Sequence, residues 1–139
     1  MTVTRRYKFA ASHRLHAARF SESENFELYG KCNNPHGHGH DYLLEVSVSG
    51  PLDAKSGQVV NVAALDRLVA KQVIEDFDSR YLNMDVREFQ SVIPTSENIL
   101  GVIEDRLQAG WRATFPAGPR LASIRLRETR RNLFELKAS

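Results

Sequence analysis

The stretch Gly30–Tyr42 reads Gly-Lys-Cys-Asn-Asn-Pro-His-Gly-His-Gly-His-Asp-Tyr, and it holds the only cysteine of the 139-residue chain and three of its five histidines. From Tyr42 onward the chain alternates between apolar and polar side chains, a pattern that predicts a half-buried strand. Because side chains two positions apart on a strand share a face, His38 and His40 should point to the same side as Tyr42. The sequence thus predicts two neighbouring imidazoles at the start of an apolar strand face.

A third histidine lies on an earlier strand pattern. Residues 7–15 alternate, so that His13 shares an apolar face with Tyr7 and Phe9. If the two strands pair, His13, His38 and His40 converge, and three imidazoles with one open position are the ligand set of a catalytic zinc ion. We therefore predict that these three residues bind Zn²⁺. The alternative is that His13 is a hydrogen-bonded core histidine and that the Gly-His-Gly-His stretch is a polar turn.

Composition limits the function classes. The net charge of +2 is too small to indicate a nucleic-acid partner, and the basic residues are scattered along the chain. We see no apolar run long enough to span a bilayer. A single cysteine forms no internal disulfide, which favours a reducing compartment, and we expect a cytoplasmic protein. The length fits one domain, residues 1–139.

The order of predicted elements is β-β-α-α-β-β, an α+β arrangement. The first strand covers residues 7–15 and the second residues 39–49, followed by helices at 62–76 and 96–108 and by strands at 121–128 and 132–137. Residues 16–29 are predicted as a loop with one helical turn, and residues 77–90 as mostly loop. We expect an antiparallel four-stranded sheet with both helices on one face.

Two motifs in this order resemble a known family. The segment Phe-Ala-Ala-Ser-His-Arg-Leu at residues 9–15, followed by Gly-Lys-Cys-Asn-Asn-Pro at residues 30–35 and by His38-Gly39-His40, resembles the 6-pyruvoyl tetrahydropterin synthases. The bacterial 6-carboxytetrahydropterin synthases look similar. The resemblance covers nearly the whole chain and implies the tunnelling fold, or T-fold. In that fold the sheets join edge to edge across subunits, and the family implies a homohexamer built as a dimer of trimers.

The resemblance also assigns a chemical role to Cys32. The matching cysteine of the family abstracts side-chain protons from 7,8-dihydroneopterin triphosphate, triphosphate is eliminated, and an internal redox rearrangement gives the product. From the residues alone, Cys32 is either a base that needs a positive neighbour to ionise, or a fourth zinc ligand that closes the site, or a small buried residue.

The chain departs from the family pattern after the first predicted helix. The family has an Asp-His pair there, whereas this chain has Asp78-Ser79, so the carboxylate matches and the histidine is missing. Serine does not accept a proton near neutral pH. We consider His36, four residues after Cys32, as the stand-in. His16 and Tyr81 are further candidates, and each of the two histidines has the alternative role of an exposed loop residue.

Substrate-binding residues are implied by the resemblance at three places. Glu128, at the end of the third long strand pattern, matches the glutamate that anchors the pterin ring through paired N–H groups. Residues Thr95, Ser96 and Glu97 match a segment that lines the same pocket, although they also suit a helix start. Arg14 and Lys31 are our candidates for binding the triphosphate, and either is equally understood as a solvated surface charge.

Three functions remain open from the sequence. The first is a zinc-dependent lyase that makes 6-pyruvoyl tetrahydropterin for tetrahydrobiopterin biosynthesis, which the spacing Cys32-x5-His38 favours. The second is a 6-carboxytetrahydropterin synthase on the queuosine route, which the segments at residues 81–83 and 94–97 favour. The third is a pterin- or metal-binding homologue with weak catalysis, which Ser79 suggests.

Overall fold

The computed structural model of the protein describes residues 1–138, and its centre is a five-stranded sheet. The strand order is β3-β1-β2-β4-β5, in which the adjacent pairs β1–β2, β2–β4 and β4–β5 are antiparallel and β3 is parallel to β1. The strands are β1 (Thr2–His13), β2 (His38–Ser49), β3 (Arg80–Tyr81), β4 (Arg120–Arg127) and β5 (Leu133–Lys137). The predicted α+β class is confirmed, and the two-residue β3 adds a fifth strand that the sequence did not indicate.

The helices are α1 (Glu22–Tyr29), α2 (Val62–Val69), α3 (Glu75–Phe77), α4 (Leu82–Asp85) and α5 (Ser96–Thr114). A π-helical turn, Ala70–Ile74, joins α2 to α3, so the first predicted long helix is present with a widened turn. The predicted caps are also present, since Asn61 accepts from Ala64 N and Thr95 accepts from Asn98 N. The second helix ends at Thr114 rather than near residue 108.

The segment predicted as mostly loop, residues 77–90, was assigned wrongly. It contains β3, α4 and a 3-10 turn at Arg87–Gln90. Its buried side chains are Phe77, Leu82, Val86 and Phe89, which pack in the core. Their spacing suits neither a long helix nor an alternating strand, so periodicity gave no signal, and tertiary packing decides the conformation.

The core lies between one face of the sheet and the two long helical segments. Phe9, Tyr42 and Ile124 from the sheet belong to the same buried cluster as Val69 and Ile103 from the helices. This arrangement matches the prediction of both helices on one face. Among the described residues, no helix is long and apolar enough to cross a membrane.

The pairing of β1 with β2 brings the histidines together. In this register His13 is opposite His38, and Ala11 is opposite His40. Gly37 enters β2 with φ of 80°, and a Cβ at this position would lie 3.0 Å from His13 O. Glycine is required there because a side chain would collide with β1 just where the histidines meet.

Candidate active site

Three histidines form a cluster at the end of β1 and the beginning of β2. His13 Nε2 lies 3.1 Å from His40 Nε2, and the two ring centroids are 4.9 Å apart. The His38 ring centroid lies 4.8 Å from that of His40. The strand alternation read from the sequence therefore brings together His13, His38 and His40.

The orientation of the His13 ring is fixed by polar contacts at its Nδ1 atom. Its Nδ1 lies 2.8 Å from Pro94 O, a carbonyl that only accepts, so Nδ1 carries the proton and Nε2 presents a lone pair towards His40. The hydroxyl of Tyr42 lies 3.4 Å from the same Nδ1. Such a hydrogen bond behind an imidazole fixes its tautomer and orientation, as is usual for histidines that bind metals.

Cys32 joins this cluster from a 3-10 turn, Gly30–Asn33, which follows α1. Its Sγ lies 3.8 Å from His40 Nε2. The turn is attached to the chain just after β1, because Leu15 N donates to Cys32 O at 2.7 Å and Asn33 Nδ2 donates to Leu15 O at 2.8 Å. The position of the thiol is therefore tied to the same strand end that carries His13.

Burial disfavours the charged form of two imidazoles of this cluster, those of His13 and His40. Burial lowers the pKa of His13, whose side chain is fully inaccessible to solvent. Burial also lowers the pKa of His40, and the neighbouring His13 and His38 add to this effect against the opposing charge of Glu128. Neutral imidazole is the form that binds a metal, so the electrostatics of the cluster favour metal binding.

The surroundings of Cys32 disfavour the ionised form of its thiol. Burial raises its pKa, and the negative charge of Glu128 raises it further. With these neighbours alone, the thiol stays protonated at neutral pH and is a poor base. A cation in the cluster would reverse this tendency.

The donor set of the cluster fits a zinc ion. One ligand atom each from His13, Cys32 and His40 lie within 4.8 Å of one another. Nitrogen and sulfur donors are the ligands that zinc prefers. The predicted ligand His38 is adjacent but lies outside this group of three, whereas Cys32 lies inside it.

Glu128 lies beside the histidines, immediately after β4. Its Oε1 is 3.8 Å from His40 Nε2, and its Oε2 accepts a hydrogen bond from the Ser96 hydroxyl at the start of α5. Only 14% of the Glu128 side chain is exposed, so contacts with the protein determine the position of this carboxylate. The structure thus brings together the metal-ligand candidates and two of the predicted substrate-binding residues.

The predicted relay residues form their hydrogen bonds elsewhere. Asp78 Oδ1 accepts from Ala10 N at 2.9 Å, and Ser79 N donates to Ala10 O at 2.6 Å. Both side chains are exposed at the edge of β1. His36 is exposed in the turn before β2, where its backbone N donates to Asn34 Oδ1. None of these three belongs to the group around His40.

The remaining predicted residues lie on or against the two segments that carry Ser96 and Cys32. Thr95 is the N-cap of α5, and Glu97 is exposed in its first turn. Arg14 donates from Nε to Asn33 O at 3.2 Å, which places its guanidinium against the turn that carries Cys32. Lys31 is exposed on that turn.

Two groups of this site were not assigned a role from the sequence. Pro94 contributes only its backbone carbonyl. Every residue has such a carbonyl, so the sequence does not indicate which one contacts His13. Tyr42 was placed on the correct strand face, but nothing in its spacing indicated the contact with His13. The alternation of residues 38–42 would have justified including the tyrosine among the candidates.

Comparison with known proteins finds similarity over nearly the whole chain. The family model described as "PTPS: 6-pyruvoyl tetrahydropterin synthase" matches residues 2–139. The chain is 40% identical over 135 residues to the 6-pyruvoyl tetrahydrobiopterin synthase of Homo sapiens, a match that covers 97% of this chain and 90% of that protein. The structure of Caenorhabditis elegans 6-pyruvoyl tetrahydropterin synthase superposes with a TM-score of 0.88 at 35% identity, covering 100% of this chain and 96% of that one.

A carboxy-type relative matches over a shorter length. The putative 6-carboxy-5,6,7,8-tetrahydropterin synthase of Archaeoglobus fulgidus is 35% identical over 80 residues, which are 58% of this chain and 62% of that protein. Its identity is close to that of the full-length matches, but the similarity covers much less of the fold.

Proposed function

We propose that this chain, which belongs to the 6-pyruvoyl tetrahydropterin synthase family, converts 7,8-dihydroneopterin triphosphate to 6-pyruvoyl tetrahydropterin with elimination of triphosphate. The full-length similarity to named synthases identifies a lyase of this type. The observation that supports the specific reaction is the convergence of a thiol, an imidazole cluster and a partly buried carboxylate in one site.

The proposal includes a zinc ion bound by His13, His38 and His40. When bound, zinc would supply a Lewis acid that polarises substrate oxygens and lowers the pKa of neighbouring groups. The lowered pKa values of His13 and His40 and the tautomer that Pro94 imposes on His13 support these two ligands. His38 is included because its ring centroid lies 4.8 Å from that of His40.

Glu128 is proposed to anchor the pterin ring. A carboxylate accepts two parallel N–H bonds from an amidine-like edge, and its placement next to His40 would hold the substrate side chain over the cluster. The Ser96 hydroxyl donates to one oxygen of Glu128 and orients the carboxylate. We assign supporting roles in substrate binding to Thr95, Glu97, Arg14 and Lys31.

Cys32 is proposed to accept a proton from the substrate side chain. Its Sγ lies 3.8 Å from His40 Nε2, and Oε1 of the carboxylate that would hold the pterin lies 3.8 Å from the same nitrogen. Asp78 and His36 are proposed as the relay that receives this proton. Their hydrogen bonds lie outside the cluster, so their role is separable from that of Cys32 and is tested by separate variants.

The proposal also includes the oligomeric state of the protein and its cellular compartment. The outer edge of β5 and most of the outer edge of β1 have no partner strand within residues 1–138. Free edges of this kind are suited to pairing between copies, as in the family's homohexamer, a dimer of trimers. The single cysteine supports a reducing, cytoplasmic environment.

The test is turnover of 7,8-dihydroneopterin triphosphate by the zinc-loaded protein, with product mass and triphosphate release measured together. We expect triphosphate and the 6-pyruvoyl mass. The 6-carboxy mass would select the second candidate, which the segments at residues 81–83 and 94–97 favour. Tight pterin binding without triphosphate release would reject the lyase and select the weakly catalytic homologue.

Matched variants make the assignment specific. Cys32→Ala should abolish triphosphate release while pterin binding is retained. Glu128→Gln should weaken pterin binding, whereas Glu135→Gln, a more exposed carboxylate on the neighbouring β5, should not. Equal losses in the two glutamate variants would contradict the role of Glu128.

A further inference from the structure

Cys32 stands closer to the histidines than a base outside the metal site needs to be. Its Sγ is 3.8 Å from His40 Nε2, and His40 Nε2 is in turn 3.1 Å from His13 Nε2. Tetrahedral zinc has bonds of about 2.0–2.1 Å to nitrogen and 2.3 Å to sulfur, which separate its ligand atoms by roughly 3.3–3.6 Å. The observed separations of 3.8 Å and 3.1 Å each lie a few tenths of an ångström outside this range, so small side-chain movements would let these donors share one ion.

The position of the thiol is imposed by the backbone. The turn that carries Cys32 is tied to Leu15 by two hydrogen bonds, of 2.7 Å and 2.8 Å, and Arg14 Nε donates to the next carbonyl, that of Asn33. Residues 14 and 15 directly follow His13 in the chain. One strand end therefore sets both His13 and Cys32, so their proximity is a property of the fold.

We propose that Cys32 is the fourth ligand of the metal ion in the absence of substrate, together with His13, His38 and His40, and that pterin binding displaces it. This inference rests on the metal site of the proposed function and deepens it. Four protein ligands make a closed site, which would hold the ion inert towards solvent until the substrate arrives.

The proton balance follows from this exchange. When the thiol binds the ion, its S–H bond breaks, the proton goes to solvent, and a sulfur–metal bond forms. When the pterin binds, an oxygen of its side chain would take the position of the sulfur on the ion, and Cys32 would be left as a thiolate beside the substrate. The thiolate then accepts the side-chain proton, so ligand exchange delivers the base in its ionised form.

The test uses cobalt(II), which replaces zinc and reports its ligands by absorption. The wild-type protein with one equivalent of cobalt should show a near-ultraviolet sulfur-to-metal charge-transfer band. Cys32→Ser and Cys32→Ala should both bind cobalt and lose the band. His36→Ala, which removes an exposed histidine outside the cluster, should keep it. Circular dichroism checks that each variant is folded.

The outcomes separate this inference from the proposed function. Cobalt binding without the band in the wild-type protein would overturn the fourth ligand while leaving the three-histidine site intact. No cobalt binding to the wild-type protein would overturn both. Saturation with 7,8-dihydroneopterin should abolish the band. A band that persists with the pterin bound would overturn the displacement of Cys32.

Discussion

At the scale of single residues, the site depends on side chains that are held in one chemical form. His40 is the residue on which the contacts converge, since it lies next to His13, His38, Cys32 and Glu128. Burial and the neighbouring imidazoles lower its pKa against the opposing charge of Glu128, and metal binding requires the neutral ring.

His40→Ala should therefore remove most of the bound metal and lower turnover by roughly a hundredfold or more, because several kcal/mol of Lewis-acid stabilisation is lost. Metal analysis after dialysis and the rate of triphosphate release are the measurements. His36→Ala is the control for metal content, because that ring is exposed and lies outside the cluster. An unchanged metal content in His40→Ala would exclude the site described here.

Ser79 occupies the position at which the resemblance to the family predicts a histidine. Its backbone φ is 61°, and it is the only non-glycine residue with positive φ among the described residues. Histidine is among the residues enriched in this left-handed region, so the backbone accommodates it.

Ser79→His should raise turnover about tenfold or more if the missing proton acceptor limits the rate. The rate of triphosphate release measures this, and Ser79→Asn, which also suits positive φ but does not accept a proton near neutral pH, is the matched control. Equal rates in Ser79→His and the wild-type protein would indicate that another group, such as His36, performs this step.

At the scale of elements, one arginine connects three segments that the sequence leaves unrelated. Arg106 on α5 binds both oxygens of Glu88 at 2.7 Å, Asp76 Oδ2 at 2.6 Å and Gln72 O at 3.0 Å. These contacts fasten the π-helical turn, α3 and the 3-10 turn to the longest helix. The segment that carries Asp78 and Ser79 lies between the fastened points.

Arg106→Met should destabilise the fold by about 2 kcal/mol, because charge-assisted hydrogen bonds are lost and a partly buried carboxylate is left without its partner. Urea unfolding measures the change. Arg112→Met on the exposed end of the same helix is the control and should have little effect.

The same ion pair predicts a pH dependence. Hydrogen bonds from Arg106 lower the pKa of Glu88 below its ordinary value of 4.5. Glu88 is thus more acidic in the folded state than in the unfolded state, so its stabilisation is complete above about pH 4.5 and is lost as pH falls through the lowered value. The free energy of unfolding of Glu88→Gln, from urea titrations at each pH, should depend less on pH between about pH 5 and 3 than that of the wild-type protein. An equal pH dependence in the two proteins would contradict this role of Glu88.

At the scale of the whole molecule, the sheet presents a complete inner face and incomplete edges. The inner face is covered by α2 and α5, and one buried cluster includes residues from β1, β2, β4 and both helices. β3 covers only Ala11 and Ser12 at the outer edge of β1, and β5 is the last strand on the other side. Hydrogen-bonding groups on these edges are available for pairing between copies.

Light scattering should therefore give a mass above that of one 15.7 kDa chain, and a hexamer by the proposal. The substitution Glu135→Pro, on the edge strand β5, removes a backbone N–H donor and should shift the protein towards smaller oligomers. A monomeric mass for the wild-type protein at micromolar concentration would contradict the edge-to-edge assembly.

The sequence by itself determined the periodic features. Alternation in β1 and β2 predicted that the three histidines share an inner face, and the stripes containing Leu65 and Ile99 predicted the helices, because strand and helix periods are local properties of the chain. The motifs around Cys32 and His38 likewise carried the resemblance to the family.

Tertiary structure alone determined which residues that are distant in sequence come into contact. Pro94 O reaches His13 across 81 positions and Ser96 reaches Glu128 across 32, and no local pattern encodes such contacts. It also placed Cys32 inside the group of candidate metal ligands and Asp78 outside it, and it formed β3 from a segment without periodicity. The physical reason is that local periods fix which face a side chain occupies, whereas packing of the core fixes which faces come together.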